Sequence, residues 1–153
     1  MNGNHAYDRK SLTEESGAGA IVGSWMLVSY MKQHDDGRVV FPFGRDPCGI
    51  LTYSEDGFMS AQFMAKGRPP IGSNELFLAS EKDLASSARG YFGYAGNYSV
   101  DLQSKVVYHD VKVSLSPNLV GTKQRREFIV SRGELQLTHG TGVITKLLWR
   151  KFE

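Results

Sequence analysis

The side chain most suited to chemistry in this chain is a histidine set among valines. In the segment 105–114, alternate residues place His109 on one face and the charged Asp110 and Lys112 on the other. Because charged residues face water, this alternation turns His109 inward. An inward histidine can move a proton near neutral pH, whereas a core histidine only bonds a buried partner; the sequence leaves both open. The valines on the same predicted face are Val107, Val111 and Val113.

The second candidate is one of two adjacent arginines in the segment 123–131. Arg126 shares a face with Gln124 and Phe128, whereas Arg125 shares the opposite face with further charged residues. The charge-rich face is the better outer face, so Arg126 is predicted to point inward. A buried guanidinium must be paired or meet an anion. It could therefore anchor a carboxylate or enolate oxygen; a salt bridge to an acidic residue or a surface position is the alternative.

Tyrosines and apolar side chains complete the candidate site. Tyr53 is the third catalytic candidate, because its hydroxyl could help His109 and Arg126 to stabilise charge, although packing alone also explains buried tyrosines. Alternation does not decide which face of the segment 58–65 is internal. The predicted ligand-binding residues are Trp25, Met59, Gln62, Tyr94, Tyr98, Asn118 and Phe128.

Several classes of site have no support. The chain has no Gly-rich phosphate loop, no H-E-x-x-H and no G-x-S-x-G motif. Its four histidines lack ligand spacing, and its one cysteine, Cys48, cannot form an internal disulfide and is expected to be a small buried hydrophobe. The sequence therefore predicts a site without metal or cofactor.

The elements that must position these residues are short strands at intervals of 8–12 residues. One helix is expected, with Ser80 as N-cap and an end near 91–95. With no alternation of strands and helices, the pattern predicts an all-β, antiparallel up-and-down barrel of about 8–10 strands with one short helix. The expected strands are 23–33, 39–43, 49–54, 58–65, 96–101, 105–114, 123–131, 134–139 and 143–152.

Length and charge limit the partners. A chain of 153 residues is expected to form one barrel domain over residues 21–153, after a loose polar arm at residues 1–20. A net charge of +2 predicts no nucleic-acid partner, and the short apolar runs predict no membrane span. A polar start without an apolar signal region predicts a cytoplasmic protein. The oligomeric state stays open, a homodimer included.

A longer string of residues carries a family resemblance. Over 23–153, the chain resembles the bacterial and fungal proteins with a lipocalin-like domain. The matching positions are Gly23-Ser24-Trp25, Leu27-Val28-Ser29-Tyr30, Phe43-Gly44-Arg45-Asp46-Pro47, Gly49, Leu51-Thr52-Tyr53, Asp56-Gly57, Met59-Ser60, Gly90-Tyr91, Gly96, Tyr98, His109, Ser114-Leu115, Pro117-Asn118 and Trp149.

The resemblance implies a calycin-like barrel around an internal cavity for a lipophilic ligand. It also implies that Trp25 packs across the closed end, with Arg150 stacked over its ring as a cation–π pair.

These observations lead to three functional hypotheses. The first is a cofactor-independent cyclase, isomerase or dehydratase of specialised metabolism, acting on a small, largely hydrophobic polyketide- or terpenoid-type molecule. His109 would move a proton while Arg126 or a tyrosine stabilises oxyanion charge. The alternative is a carrier that binds such a molecule without changing it. The third is a structural protein whose aromatic residues fill the barrel.

Overall fold

The computed structural model describes residues 18–153 and consists mainly of β-strands. The predicted arm at residues 1–20 lies, up to residue 17, outside the described residues. The strands are β1 (Gly23–Gln33), β2 (Val39–Val40), β3 (Cys48–Tyr53), β4 (Phe58–Met64), β5 (Tyr91–Asp101), β6 (Val106–Ser114), β7 (Lys123–Ser131), β8 (Glu134–His139) and β9 (Ile144–Lys151). The helix α1 is Glu81–Arg89, and short 3-10 turns cover Leu76–Leu78 and Pro117–Leu119.

The long strands close into a barrel. From β3 onward, each strand pairs antiparallel with the next, and β1 pairs with both β3 and β9. The two-residue β2 adds only to the far end of β1. Closure gives the long strands partners on both sides, which removes open sheet edges. The predicted antiparallel up-and-down barrel with one short helix is confirmed, with eight strands in the closed wall.

The helix begins where the sequence predicts and ends earlier. The Ser80 side chain accepts a hydrogen bond from the backbone N–H of Asp83, which satisfies one of the free N–H groups at the helix start. Residues 91–95, expected as the helix end, instead begin β5, because their backbone pairs with β4 from Met64 to Ser60. The helix ends at its C-cap, Gly90, and the residues that follow pair in the sheet.

A β-bulge changes the predicted inner face of β6. Ala95 pairs with Val113 and Gly96 with Val111, so Lys112 is an extra residue on β6. Beyond it the alternation is reversed, and Val113 is 61% exposed rather than internal. The strands approach closely here: a Cβ on Gly96 would collide with the backbone carbonyl of Asp110. The absence of a side chain at position 96 therefore permits the bulge.

The closed end of the barrel is filled by Trp25. Its indole N–H donates to the Ile21 carbonyl at 2.8 Å, and the Lys151 ammonium lies 4.7 Å from its ring centroid. The expected cation was Arg150, and this is wrong: the register pairs Trp25 with Lys151, whereas Arg150 points outward to Glu134. Alternation along β9 puts neighbouring residues on opposite faces, so only Lys151 can cover the tryptophan.

Candidate functional site

A cavity of about 230 Å³ occupies the end of the barrel where β4 stops and β5 starts. An engineered cavity of about 150 Å³ holds benzene, so this one suits a single substituted ring. The lining is mostly apolar, with a small polar group on one side. The lining residues are Tyr30, Phe43, Leu51, Ala61, Phe63, Phe92, Tyr94, Leu119, Gln124, Arg126, Leu137, His139, Leu147 and Trp149.

One wall of the cavity is aromatic. The rings of Tyr30, Phe43 and Phe63 have centroids 5.2 Å from one another, and Phe92 lies 5.6 Å from Phe63. Phe43 comes from the loop between β2 and β3, so a loop residue completes the wall that β1, β4 and β5 begin. A wall of aromatic rings can make edge or offset contacts with a flat aromatic ligand.

Arg126 is the charged residue of the lining. It points inward from β7, as the alternation predicts, and is 9% exposed. Its guanidinium donates to the Arg125 backbone carbonyl at 2.8 Å, and no carboxylate within residues 18–153 forms an ion pair with it. Its neighbour Arg125 instead pairs with Glu127 on the outer face, at 2.9 Å. The cavity therefore contains a cation whose positive charge is not balanced by the described residues around it.

His109 lies deeper, between two tyrosines. It is 0% exposed; its Nε2 lies 2.7 Å from the Tyr53 hydroxyl and its Nδ1 lies 2.8 Å from the Tyr94 hydroxyl. The structure thus brings together two of the three predicted catalytic residues, His109 and Tyr53. His109 does not line the cavity, whereas Tyr94 does. Any effect of His109 on a bound molecule therefore passes through the Tyr94 hydroxyl.

The two histidines near Arg126 are held neutral. Burial lowers the pKa of His109 to about 3, with further lowering from the Arg126 charge and from His139. Burial also lowers the pKa of His139 to about 4, again helped by Arg126 and by Lys32. A desolvated imidazole next to a cation favours its uncharged form. At neutral pH the guanidinium is thus the formal charge of the lining.

The predicted ligand-binding residues divide between the cavity and the core. Tyr94 lines the cavity. Trp25, Met59 and Phe128 are buried in the core outside the lining. Tyr98 is half-buried, makes an edge contact with the Tyr53 ring at a centroid distance of 4.8 Å, and donates its hydroxyl proton to the Ser54 carbonyl at 2.8 Å. These four residues support the site from behind and do not line it.

Two predicted ligand-binding residues lie elsewhere. Gln62 is exposed on the outer face of β4, where it accepts a hydrogen bond from the Tyr91 hydroxyl at 3.0 Å; because Ala61 and Phe63 are buried, alternation turns Gln62 outward. Asn118 is exposed in the 3-10 turn, and its neighbour Leu119 lines the cavity instead. Neither placement suits contact with a ligand inside the barrel.

The predicted site lacks four polar residues of the lining, Tyr30, Gln124, His139 and Trp149. Trp149 follows the alternation of β9 with Thr145 and Leu147, so its inward direction was available from the pattern. Its indole nitrogen is buried without a hydrogen-bond partner in the described part of the chain. His139 stands at the end of β8, where periodicity carries little information.

No group of three or more His, Cys, Asp or Glu side chains within residues 18–153 could hold a metal ion. No helix in that range is long and apolar enough to cross a membrane.

Known proteins are similar to this chain in sequence or in fold. The 4'-hydroxy-3'-methoxypropiophenone carrier protein of Aspergillus oryzae is 32% identical in an alignment of 106 residues that covers 61% of this chain and 96% of that protein. A lipocalin-like protein from Bacteroides uniformis has a TM-score of 0.47 at 18% identity, covering 87% of this chain and 99% of its own. A redesigned β-barrel has a TM-score of 0.44 at 11% identity, covering 89% and 95%. A family model described as a lipocalin-like domain matches residues 22–150, and the chain belongs to that family.

Proposed function

We propose that the barrel is a carrier that binds a small aromatic molecule bearing oxygen substituents and does not transform it. The observation that carries this proposal is the 230 Å³ cavity, which combines an aromatic wall with the unbalanced charge of Arg126. Mostly apolar pockets with a few fixed polar groups are typical small-molecule sites. The position of His109 behind Tyr94, with both ring nitrogens bonded, favours binding over catalysis.

The relative from Aspergillus oryzae indicates which molecules to test. Its name gives a phenyl ring with hydroxyl, methoxy and propanoyl groups. One ring with short substituents matches the volume of this cavity, and its oxygens could meet Arg126 or Tyr94 at the polar side. A ligand of this class is therefore proposed for this chain.

Binding of 4'-hydroxy-3'-methoxypropiophenone should be measurable by calorimetry, with a Kd on the order of micromolar. Ala61→Phe should weaken binding at least about tenfold, because Ala61 is buried against the cavity and a ring there occupies the ligand's space. Ala95→Phe is the matched control, since Ala95 pairs with Ser60 and lies on the outer face of β5. No heat of binding at about 100 μM ligand, or equal losses in both variants, would contradict the proposal.

A cofactor-independent cyclase, isomerase or dehydratase of specialised metabolism is the second candidate. The hydrogen-bonded series Tyr53, His109 and Tyr94 favours it, because it reaches the cavity wall and could relay a proton. Turnover distinguishes the two candidates. An enzyme would convert its substrate and lose this activity in His109→Gln while binding persists; a carrier returns its ligand unchanged from both proteins. The cytoplasmic location stays a prediction.

A further inference from the structure

The hydrogen bonds of Tyr53 determine which ring nitrogen of His109 carries the proton. The Tyr53 hydroxyl is fully buried, and His109 is its hydrogen-bond partner in the described part of the chain. If His109 donated to Tyr53, the tyrosine proton would have no acceptor, at a cost of about 1–3 kcal/mol. Tyr53 therefore donates to Nε2. A neutral imidazole then carries its proton on Nδ1 and donates it to the Tyr94 oxygen.

This direction leaves the Tyr94 proton free to point into the cavity. Tyr94 lies beside Arg126, whose charge acts on its hydroxyl. Arg126 adds guanidinium N–H groups beyond the one that bonds the Arg125 carbonyl. Trp149, also in the lining, has a buried N–H with no partner among residues 18–153. This side of the cavity consequently presents hydrogen-bond donors and a positive charge, and none of the described residues that line the cavity carries a carboxylate.

We infer that the cavity binds its aromatic ligand as an ionised phenol, whose anionic oxygen is received by the Arg126 guanidinium and the Tyr94 hydroxyl. The inference rests on the proposed function and specifies its ligand class. A buried cation next to preset donors stabilises an oxyanion. An acyl group para to a phenol withdraws electron density, so such phenols ionise more easily than tyrosine. The aromatic wall opposite would hold the ring of the same molecule.

The protein groups around Arg126 do not themselves titrate near neutral pH. Burial raises the pKa of Tyr30 on β1, of Tyr53 on β3 and of Tyr94 on β5. His109 on β6 and His139 on β8, with pKa values of about 3 and about 4, stay neutral. Between about pH 5 and 9, a titration that changes the absorption of the bound phenol therefore belongs to the ligand and not to these five side chains.

The experiment follows the absorption of bound 4'-hydroxy-3'-methoxypropiophenone, because an ionised phenol absorbs at longer wavelength. The phenol pKa in the complex should be about 1–3 units below that of the free compound. Arg126→Gln should abolish this shift and weaken binding about 10- to 100-fold at neutral pH. Arg125→Gln is the matched control and should change neither, because Arg125 lies on the outer face. The 3',4'-dimethoxy analogue cannot ionise and should bind both arginine variants and the parent within about threefold.

Separate outcomes test the two proposals. A bound phenol that titrates like the free compound, or a shift that survives in Arg126→Gln, overturns the inference and leaves the carrier intact. Failure of both compounds to bind the parent protein overturns both. Comparison of the two compounds on the parent protein needs no folded variant: a phenol that binds no tighter than its dimethoxy analogue above its free pKa also overturns the inference.

Discussion

Substitution of His109 by alanine is expected to destabilise the barrel by about 3–5 kcal/mol. The imidazole is fully buried and bonds Tyr53 and Tyr94 at 2.7 and 2.8 Å. Alanine leaves a cavity and removes the hydrogen-bond partner of the buried Tyr53 hydroxyl. For a chain of this size the midpoint of thermal unfolding should fall by roughly 10 °C. His109→Gln should cost less, because its amide offers both a donor and an acceptor.

A double-mutant cycle separates the free energy of the Tyr53–His109 hydrogen bond from the cost of the cavity that the imidazole leaves. The His109→Ala substitution leaves the Tyr53 hydroxyl unpaired, and Tyr53→Phe removes that hydroxyl. His109→Ala should therefore cost about 1–3 kcal/mol less in the Tyr53→Phe background than in the parent. Urea unfolding at neutral pH measures each corner. Additivity within about 0.5 kcal/mol would mean that the Tyr53 bond contributes nothing to stability beyond packing.

The barrel follows from the sequence where alternation and turns agree. The strands β7 and β8 were predicted with the bounds that the structure gives, because their polar and apolar residues alternate and Ser131–Gly133 marks a turn. Residues 91–95 were assigned to the helix end because two glycines nearby resemble a helix stop. Their strand structure depends on pairing with β4, which is a long-range contact that local propensity does not contain.

The site was predicted one side chain at a time and not as an arrangement. Alternation turned His109 and Arg126 inward because their strands have a charge-rich opposite face. The bonds from His109 to Tyr53 and Tyr94 join three strands and depend on the barrel's closure and curvature. On β5 the register partner of His109 is Tyr98, whose hydroxyl bonds the Ser54 carbonyl instead. Gln62 is misplaced because both faces of β4 are mixed. Phe43, expected at the end of a strand over 39–43, lies in a loop because the pairing of β2 with β1 stops at Val40.

Mild acid should destabilise this barrel through its buried histidines. The pKa of His109 is about 3 in the folded protein against 6.5 for an ordinary histidine. Between these two pH values, His109 is protonated in the unfolded chain and neutral in the folded chain. The stability contributed by neutral His109 is therefore complete above about pH 6.5 and falls by about 1.4 kcal/mol per pH unit below it. From pH 6.5 to about 4.5 the loss should reach about 2–3 kcal/mol. His139, with a pKa of about 4, acts in the same direction.

The contribution of His109 to the acid sensitivity is the difference between two slopes of unfolding free energy against pH, one for the parent and one for a His109 variant. Urea unfolding of the parent and of His109→Gln from about pH 7 to 4.5 should give free energies that converge on acidification, with a slope smaller by about 1 kcal/mol per pH unit in the variant. The pH range ends at about 4.5 because the pKa of Asp101 is lowered by hydrogen bonds from Ser104. Protonation of Asp101 at lower pH would therefore add a further loss of stability. His139→Gln should reduce the slope less, because its imidazole is only partly buried. Parallel curves for the parent and His109→Gln would mean that the buried imidazole accepts a proton in the folded barrel as readily as in the unfolded chain, contrary to the pKa lowering that burial and the charge of Arg126 impose.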